Sequence, residues 1–493
     1  MRSPESLFPQ DSFVETGVQK NPYLPLWEYI PDGEPHVFGD RVYLYGSHDG
    51  FGGNKYCMND YVCWSANVHD LKEWRYEGII YRSSQDPRMP DGNRQIWAPD
   101  VARGKDGRYY LYYCPDGDGE AIGVAVCNEP AGQYQFYGIV QDKKGQWIGK
   151  REGDIWQFDP GVFIDEDSKI YLYSGNGPKT EKDIGKTPKN SCVMELSDDM
   201  LTVIEEPRIL LPILGKAKDT GFEGHEFFEA SSVRKINGKY YLIYSSVRSR
   251  ELCYAISEKP DREYRYAGVL SDNSGVIEEQ DKNRIQIMWG NNHGSIEQIN
   301  GKWYVFYHRP TNKTQFSRQA CVEELVMLPD GRFQQAEMTS QGFNGAPLEK
   351  GTYPASIACI LHGKLEPEIS RPDSNAQPYV TQDTPDKNPD EIQDENAAPK
   401  QYITCIEDGG CAGYKYFQFD DLKKITITTR GCAKGEICVR IQENDKEIGR
   451  ILVTPSEDWE KNQTDIKEWR GIGTLMLEYY GRGMLDMLEI SLE

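Results

Sequence analysis

A turn followed by an aromatic strand recurs five times in this chain, and that repeat constrains the fold more than any other feature. The copies are GDRVYLYGS at 39–47, DGRYYLYY at 106–113, DSKIYLYS at 167–174, NGKYYLIY at 237–244 and NGKWYVFY at 300–307. Their aligned tyrosines, Tyr43, Tyr110, Tyr171, Tyr241 and Tyr304, are separated by 67, 61, 70 and 63 residues. Asn-Gly and Asp-Gly pairs ahead of an apolar, aromatic run mark hairpins. Five such units at a long, even period predict an all-β fold, a five-bladed β-propeller over residues 21–345 with one blade per repeat. In such a wheel the innermost strands face a common axis, so side chains at one mouth converge from distant sequence positions.

The remainder divides around the wheel. Residues 1–20 are an N-terminal extension. Residues 346–493 regain short alternating strands, at Ile425–Thr429, Ile437–Ile441, Thr474–Tyr480 and Met487–Leu492, and predict a β-sandwich. Residues 354–362 are expected to give its first strand. An acidic, proline-containing loop around 363–400 interrupts it, with too few large apolar groups to build a core.

Charge narrows the ligand. The 493 residues carry a net charge of −22, which repels nucleic acid and anionic membranes. A neutral ligand such as a sugar fits. The N-terminal sequence has no apolar signal core, so a cytoplasmic location is expected, with an already trimmed export signal as the alternative. The 12 cysteines lack metal-finger spacing and read as mostly free thiols. Nothing in the sequence sets an oligomeric state.

Three acidic residues stand beside blade motifs: Asp32 before the first, Asp159 before the third, Glu229 before the fourth. A plain reading makes Glu229 a surface carboxylate ahead of a hairpin. The recurrence of the motif favours another. Three carboxylates around one funnel repel one another and raise at least one pKa. A raised Glu beside an ionised Asp is an acid/base pair suited to cleaving a glycosidic bond.

The chain resembles glycoside hydrolase family 43 over about residues 21–342. The likeness is carried by Asn21-Pro-Tyr-Leu-Pro25 with Pro31-Asp32 and Gly46-Ser-His-Asp49, by Ile96-Trp-Ala-Pro-Asp-Val101, by Phe158-Asp-Pro-Gly-Val-Phe163, and by Glu229 six residues before Lys235-Ile-Asn-Gly238. The resemblance implies that Asp32 is the general base, Glu229 the general acid and Asp159 the third carboxylate that tunes and positions the acid. Glu226 is the alternative acid. The family's small residue pair after the base is replaced here by Gly33-Glu34. The resemblance further implies that Arg318 lies near the substrate and that His293 in WGNNHGS helps hold an axial cation, calcium, through waters. It implies no organic cofactor. Trp97 is a candidate sugar-stacking platform, since aromatic faces suit the C–H faces of sugars. Plainer readings stand beside each: a surface ion pair for Arg318, core packing for Trp97, a hydrogen-bonded core residue for His293. Asp100 is read as blade-entry structure.

Residues 401–431 resemble a family 6 carbohydrate-binding module, with Tyr414 and Tyr416, or Tyr479 and Tyr480, as stacking candidates against a plainer role in packing. The combined expectation is an exo-acting, inverting glycosidase that releases terminal α-L-arabinofuranosyl or β-D-xylosyl residues from plant cell-wall oligosaccharides. The alternatives are an endo-arabinanase or a galactan- or galactofuranose-cleaving enzyme of the same fold, and a non-catalytic glycan-binding propeller. A retaining fructan-cleaving propeller is disfavoured because its Asn-Asp-Pro-Asn base motif is missing at Asp32.

Overall fold

All five repeats become the second strand of an antiparallel sheet. A computed structural model describes residues 20–117, 121–186, 188–278, 285–364, 378–385 and 398–493, and the backbone of the short strand Val14–Glu15. Most of the N-terminal extension and most of the acidic loop around 363–400 lie outside the described residues.

The blades begin with inner strands Glu34–Phe38, Ile96–Arg103, Gly161–Ile164, Phe227–Ile236 and Ile296–Ile299. The repeat strands follow them as Arg41–Tyr45, Tyr109–Pro115, Ile170–Asn176, Lys239–Ser246 and Lys302–Thr311. The Asn237-Gly238 and Asn300-Gly301 turns take positive φ at both central residues, the type I′ geometry that matches strand twist. The aromatic density of the repeat strands has a packing cause. In the fourth blade, Tyr240, Leu242 and Tyr244 pack toward the third blade, while Tyr241 and Ile243 pack toward the fifth. A blade buried on both faces needs apolar side chains on both, so polar alternation disappears. Five apolar clusters fill the five gaps between neighbouring blades. Each fully buried large side chain contributes about 1.5–3 kcal/mol.

The wheel closes at the seam between blades one and five. Gly33 bridges Gly294 in parallel, and the Asn21 side chain bonds both the N–H and the carbonyl of Val322. The inner strands are therefore parallel around the axis, and their N-terminal ends share one mouth.

The C-terminal region is a two-sheet sandwich. One sheet holds Tyr379–Gln382, Gln401–Ile406, Leu485–Leu492, Lys424–Gly431 and Ser456–Asp465, and the other Ile360–His362, Cys411–Gln418, Ile472–Arg482, Lys434–Ile441 and Lys446–Val453. The expected first strand over 354–362 is divided: Gly351–Pro354 pairs with Leu485–Leu492, a short 3₁₀ turn follows, and Ile360–His362 joins the opposite sheet. Tyr414 and Tyr479 are buried in the sandwich core and offer no ring face to a ligand. Tyr416 bonds Glu337 of the propeller, and Tyr480 is exposed. All twelve cysteines are free thiols. No helix among the described residues is long and apolar enough to cross a membrane.

Candidate active site

Asp32, Trp97, Asp159, Glu229 and His293 each lie at the start of an inner strand, one per blade. The backbone turns sharply there. Asp32, Ala98, Asp159 and Ala230 all have φ between 45° and 69°, in the left-handed region that L-residues avoid. Register shifts between Trp97 and Asp100 and between Glu229 and Ser232 accompany the turns. Bulges of this kind re-aim side chains, here toward the axis mouth.

Asp32 is 4% exposed. Its Oδ1 accepts a hydrogen bond from Arg318 Nη1 at 2.9 Å and lies 3.8 Å from His293 Nδ1. Its backbone N–H donates to His308 Nδ1 at 3.2 Å, while His308 Nε2 donates to the Asn291 carbonyl at 2.6 Å. That pattern fixes a neutral imidazole, and burial, reinforced by Arg318, holds His308 down at about 3. Burial pushes the Asp32 carboxyl up, but the Arg318 and His293 charges outweigh it, so the group lies below its ordinary range and is ionised. Arg318 is itself gripped in bidentate fashion by buried Asp49, Nε to Oδ2 at 2.8 Å and Nη2 to Oδ1 at 3.0 Å, and lies over the Tyr56 ring. It is 2% exposed, so the surface ion-pair reading of Arg318 does not hold.

Glu229 is in the opposite state. Burial is the main cause of a pKa raised to about 7; the negative charge of Asp32 adds to it, while Lys179, Arg318 and Lys189 act against it. Its Oε2 accepts from Asn176 Nδ2 at 3.2 Å, and Asn176 Oδ1 accepts from Lys189 Nζ at 2.7 Å. Asp159 is pushed well up by burial and by the charges of Glu229 and Asp32, with the backbone N–H of Ala230, the residue after Glu229, acting against them. Its Oδ2 lies 3.5 Å from His293 Nδ1. His293 therefore stands between Asp32 and Asp159, and burial lowers its pKa. Glu226 is buried with Oε2 unpartnered, and among the described residues it shares no hydrogen bond with the other carboxylates.

Trp97 packs edge-on against Phe158, with its Nε1 buried and unpartnered. Asp100 holds three inner strands together, accepting from His36 Nε2 at 2.6 Å and from the N–H groups of Val101 and Val162 at 2.7 Å. It is blade-entry structure, as the sequence suggested. Glu34, His36 and Asp100 place ligand atoms within 4.8 Å of one another, and Glu34 Oε1 is buried without a partner. Two carboxylates suit a hard cation better than the lone nitrogen of His293. Burial and Asp100 raise Glu34 to about 8, with Arg234 acting against them.

The sequence does not mark Asp49, Asn176, Lys179, Lys189 or His308 as site residues. Asp49 ends the Gly46-Ser-His-Asp49 stretch and His308 directly follows the fifth repeat, while Asn176, Lys179 and Lys189 lie outside every motif and meet the site only in space.

Residues 25–333 match the family model described as glycosyl hydrolases family 43. A protein of Thermoclostridium stercorarium described as a xylosidase/arabinosidase is 46% identical, over 96% of this chain and 98% of its own. Among solved structures, a family 43 β-xylosidase/α-arabinofuranosidase from a compost microbial metagenome, in a calcium-free form with xylotriose, is 29% identical with a TM-score of 0.50. The match covers 65% of this chain and 97% of that one. A family 43 arabinoxylan arabinofuranohydrolase from Bacillus subtilis, 20% identical, shares the fold over 95% of this chain and 97% of its own with a TM-score of 0.50.

Proposed function

The chain belongs to glycosyl hydrolase family 43, and from that premise we propose that it removes terminal α-L-arabinofuranosyl or β-D-xylosyl residues from hemicellulose-derived oligosaccharides by an inverting mechanism. The enzyme is a glycoside hydrolase. Asp32 serves as general base, Glu229 as general acid, and Asp159 holds and tunes the acid. One observation carries the assignment: at one mouth, a carboxylate held ionised by Arg318 faces a glutamic acid whose pKa is about 7. An ionised base takes a proton from water as it attacks the anomeric carbon. A protonated acid delivers its proton to the departing glycosidic oxygen. The split between the two environments assigns the two roles. The pentose preference is supported by the xylosidase/arabinosidase relative.

A cation at the axis would be held by Glu34 and Asp100 with His36, where it would neutralise buried negative charge and brace three inner strands. Chelation should then lower the melting temperature, with recovery on calcium add-back; no response, and no metal by elemental analysis, would remove the cation from this reading.

A panel of aryl pentosides and hexosides tests the function, with Asp32→Ala alongside wild type. Turnover is expected on arabinofuranoside or xyloside and lost in folded Asp32→Ala. Proton NMR of the first-formed sugar should show the inverted anomer. Comparable turnover by Asp32→Ala, or a retained anomer, defeats the assignment.

A further inference from the structure

The ion pair between Asp32 and Arg318 joins the two ends of the propeller sequence. Asp32 belongs to blade one and Arg318 to blade five, so their 2.9 Å contact depends on how the closing seam is held. Apolar packing is non-directional and tolerates small slips. A chain of buried hydrogen bonds does not.

Such a chain crosses this seam, and its central links come from the sandwich. Gln319 follows Arg318, so along the strand its side chain points to the opposite side, away from the base. It is fully buried. Its Nε2 donates to the Leu26 carbonyl of the blade-one lead-in at 2.5 Å and to Gln401 Oε1 at 2.9 Å, while its Oε1 accepts from Arg309 Nε at 3.2 Å. Gln401 Nε2 donates to the Tyr29 hydroxyl at 2.9 Å, and that hydroxyl donates to Gln382 Oε1 at 2.6 Å. Gln382 and Gln401 stand directly opposite each other in a hairpin of the sandwich.

The Gln401 amide thus spans the seam, with its oxygen on blade five and its nitrogen on the lead-in to blade one. Tyr29 is three residues before Asp32, and its carbonyl accepts the N–H of Asp49, the carboxylate that grips Arg318. Each amide in the chain has a partner of the right sense at both ends, so one arrangement is specified.

We propose that Gln401 and Gln382 of the β-sandwich are positioning residues for the catalytic base, locking blade one against blade five so that Arg318 stays on Asp32. This rests on Asp32 being the base. The sandwich then acts in the reaction itself, through the seam, without touching substrate.

Tyr29→Phe keeps shape and removes the shared hydroxyl; Gln401→Met keeps volume and removes the amide. Both are tested in the full chain, with Asp32→Asn as a control. In both variants kcat should fall about tenfold with KM within about twofold, because the base loses its position while substrate binding does not. A lowered melting temperature with unchanged kcat would make the glutamines scaffold only and overturn the proposal. If Gln401→Met does not fold, Tyr29→Phe decides by the same criteria. Retained turnover in Asp32→Asn would instead defeat the base assignment, a result separate from failure of the clamp.

Discussion

Glu229 shows how one side chain is set by neighbours that no motif reveals. Burial lifts its pKa to about 7, and Lys179, the largest opposing influence, pulls it down. The catalytic form is protonated, so activity should fall as pH rises through about 7. Removing a nearby cation disfavours the carboxylate and raises that pKa. Lys179→Met should therefore move the basic limb to higher pH; a limb that stays or falls would show that Lys179 does not act on the acid. Because Lys179 is exposed, added salt should shrink the difference between wild type and variant. The acid role has its own test. Glu229→Ala should cripple natural linkages, whose leaving groups need a proton, and spare dinitrophenyl glycosides much more. Equal losses on both would move attention to Glu226. The three carboxylates were legible in the sequence because each stands 11 or 12 residues before the aligned tyrosine of a repeat, inside a stretch that carries the family resemblance. Asn176 and His308 were not, since nothing local marks a side chain whose partner is 53 or 276 residues away. The opposed ionisation of Asp32 and Glu229 was legible as an expectation of the resemblance; its physical cause, Arg318 on Asp32, is placed by folding.

The strand entries carry the shape of the site. Turn chemistry such as Asn237-Gly238 was readable because it uses residues that favour positive φ. The turns at Ala98 and Ala230 were not, because alanine gives no such signal and the tertiary structure imposes the conformation. Left-handed backbone at non-glycine residues costs about 1–3 kcal/mol each and persists where surrounding structure over-determines it. Its recurrence at four entries fits a mouth built to aim side chains inward. Close approach adds a second demand. At Gly161, two residues after Asp159, an added Cβ would run into the carbonyl oxygen of Ser231 on the neighbouring inner strand. Gly161→Ala should push the third and fourth blades apart and cost about 1–3 kcal/mol of stability. It should also lower kcat, because Asp159 and the Ala230 N–H lie across the same contact. Thermal melts and kinetics on one preparation check both; an unchanged melting temperature would mean the strands have room to separate.

At the scale of the whole molecule, the sandwich is fused to the wheel. Its core cluster continues into Ile287, Tyr307, Cys321 and Met338 of the propeller side. Arg309, 2% exposed, donates to the carbonyls of Ser356 and Ala358 at 2.6 and 2.8 Å. A strand pattern does not record which of its faces meets another domain, so the extent of this contact is not legible in the sequence. The contact argues for one cooperative unit. Uncovering those four apolar side chains would cost up to about 6–12 kcal/mol, which is as large as the whole stability of an ordinary domain. A chain ending near residue 345 should therefore aggregate or lose its cooperative melt. Scanning calorimetry of the full chain should show a single transition, with loss of activity and loss of both sheets' signal together. Two separated transitions, with the first leaving activity intact, would show that the propeller stands without the sandwich and that the shared core contributes little.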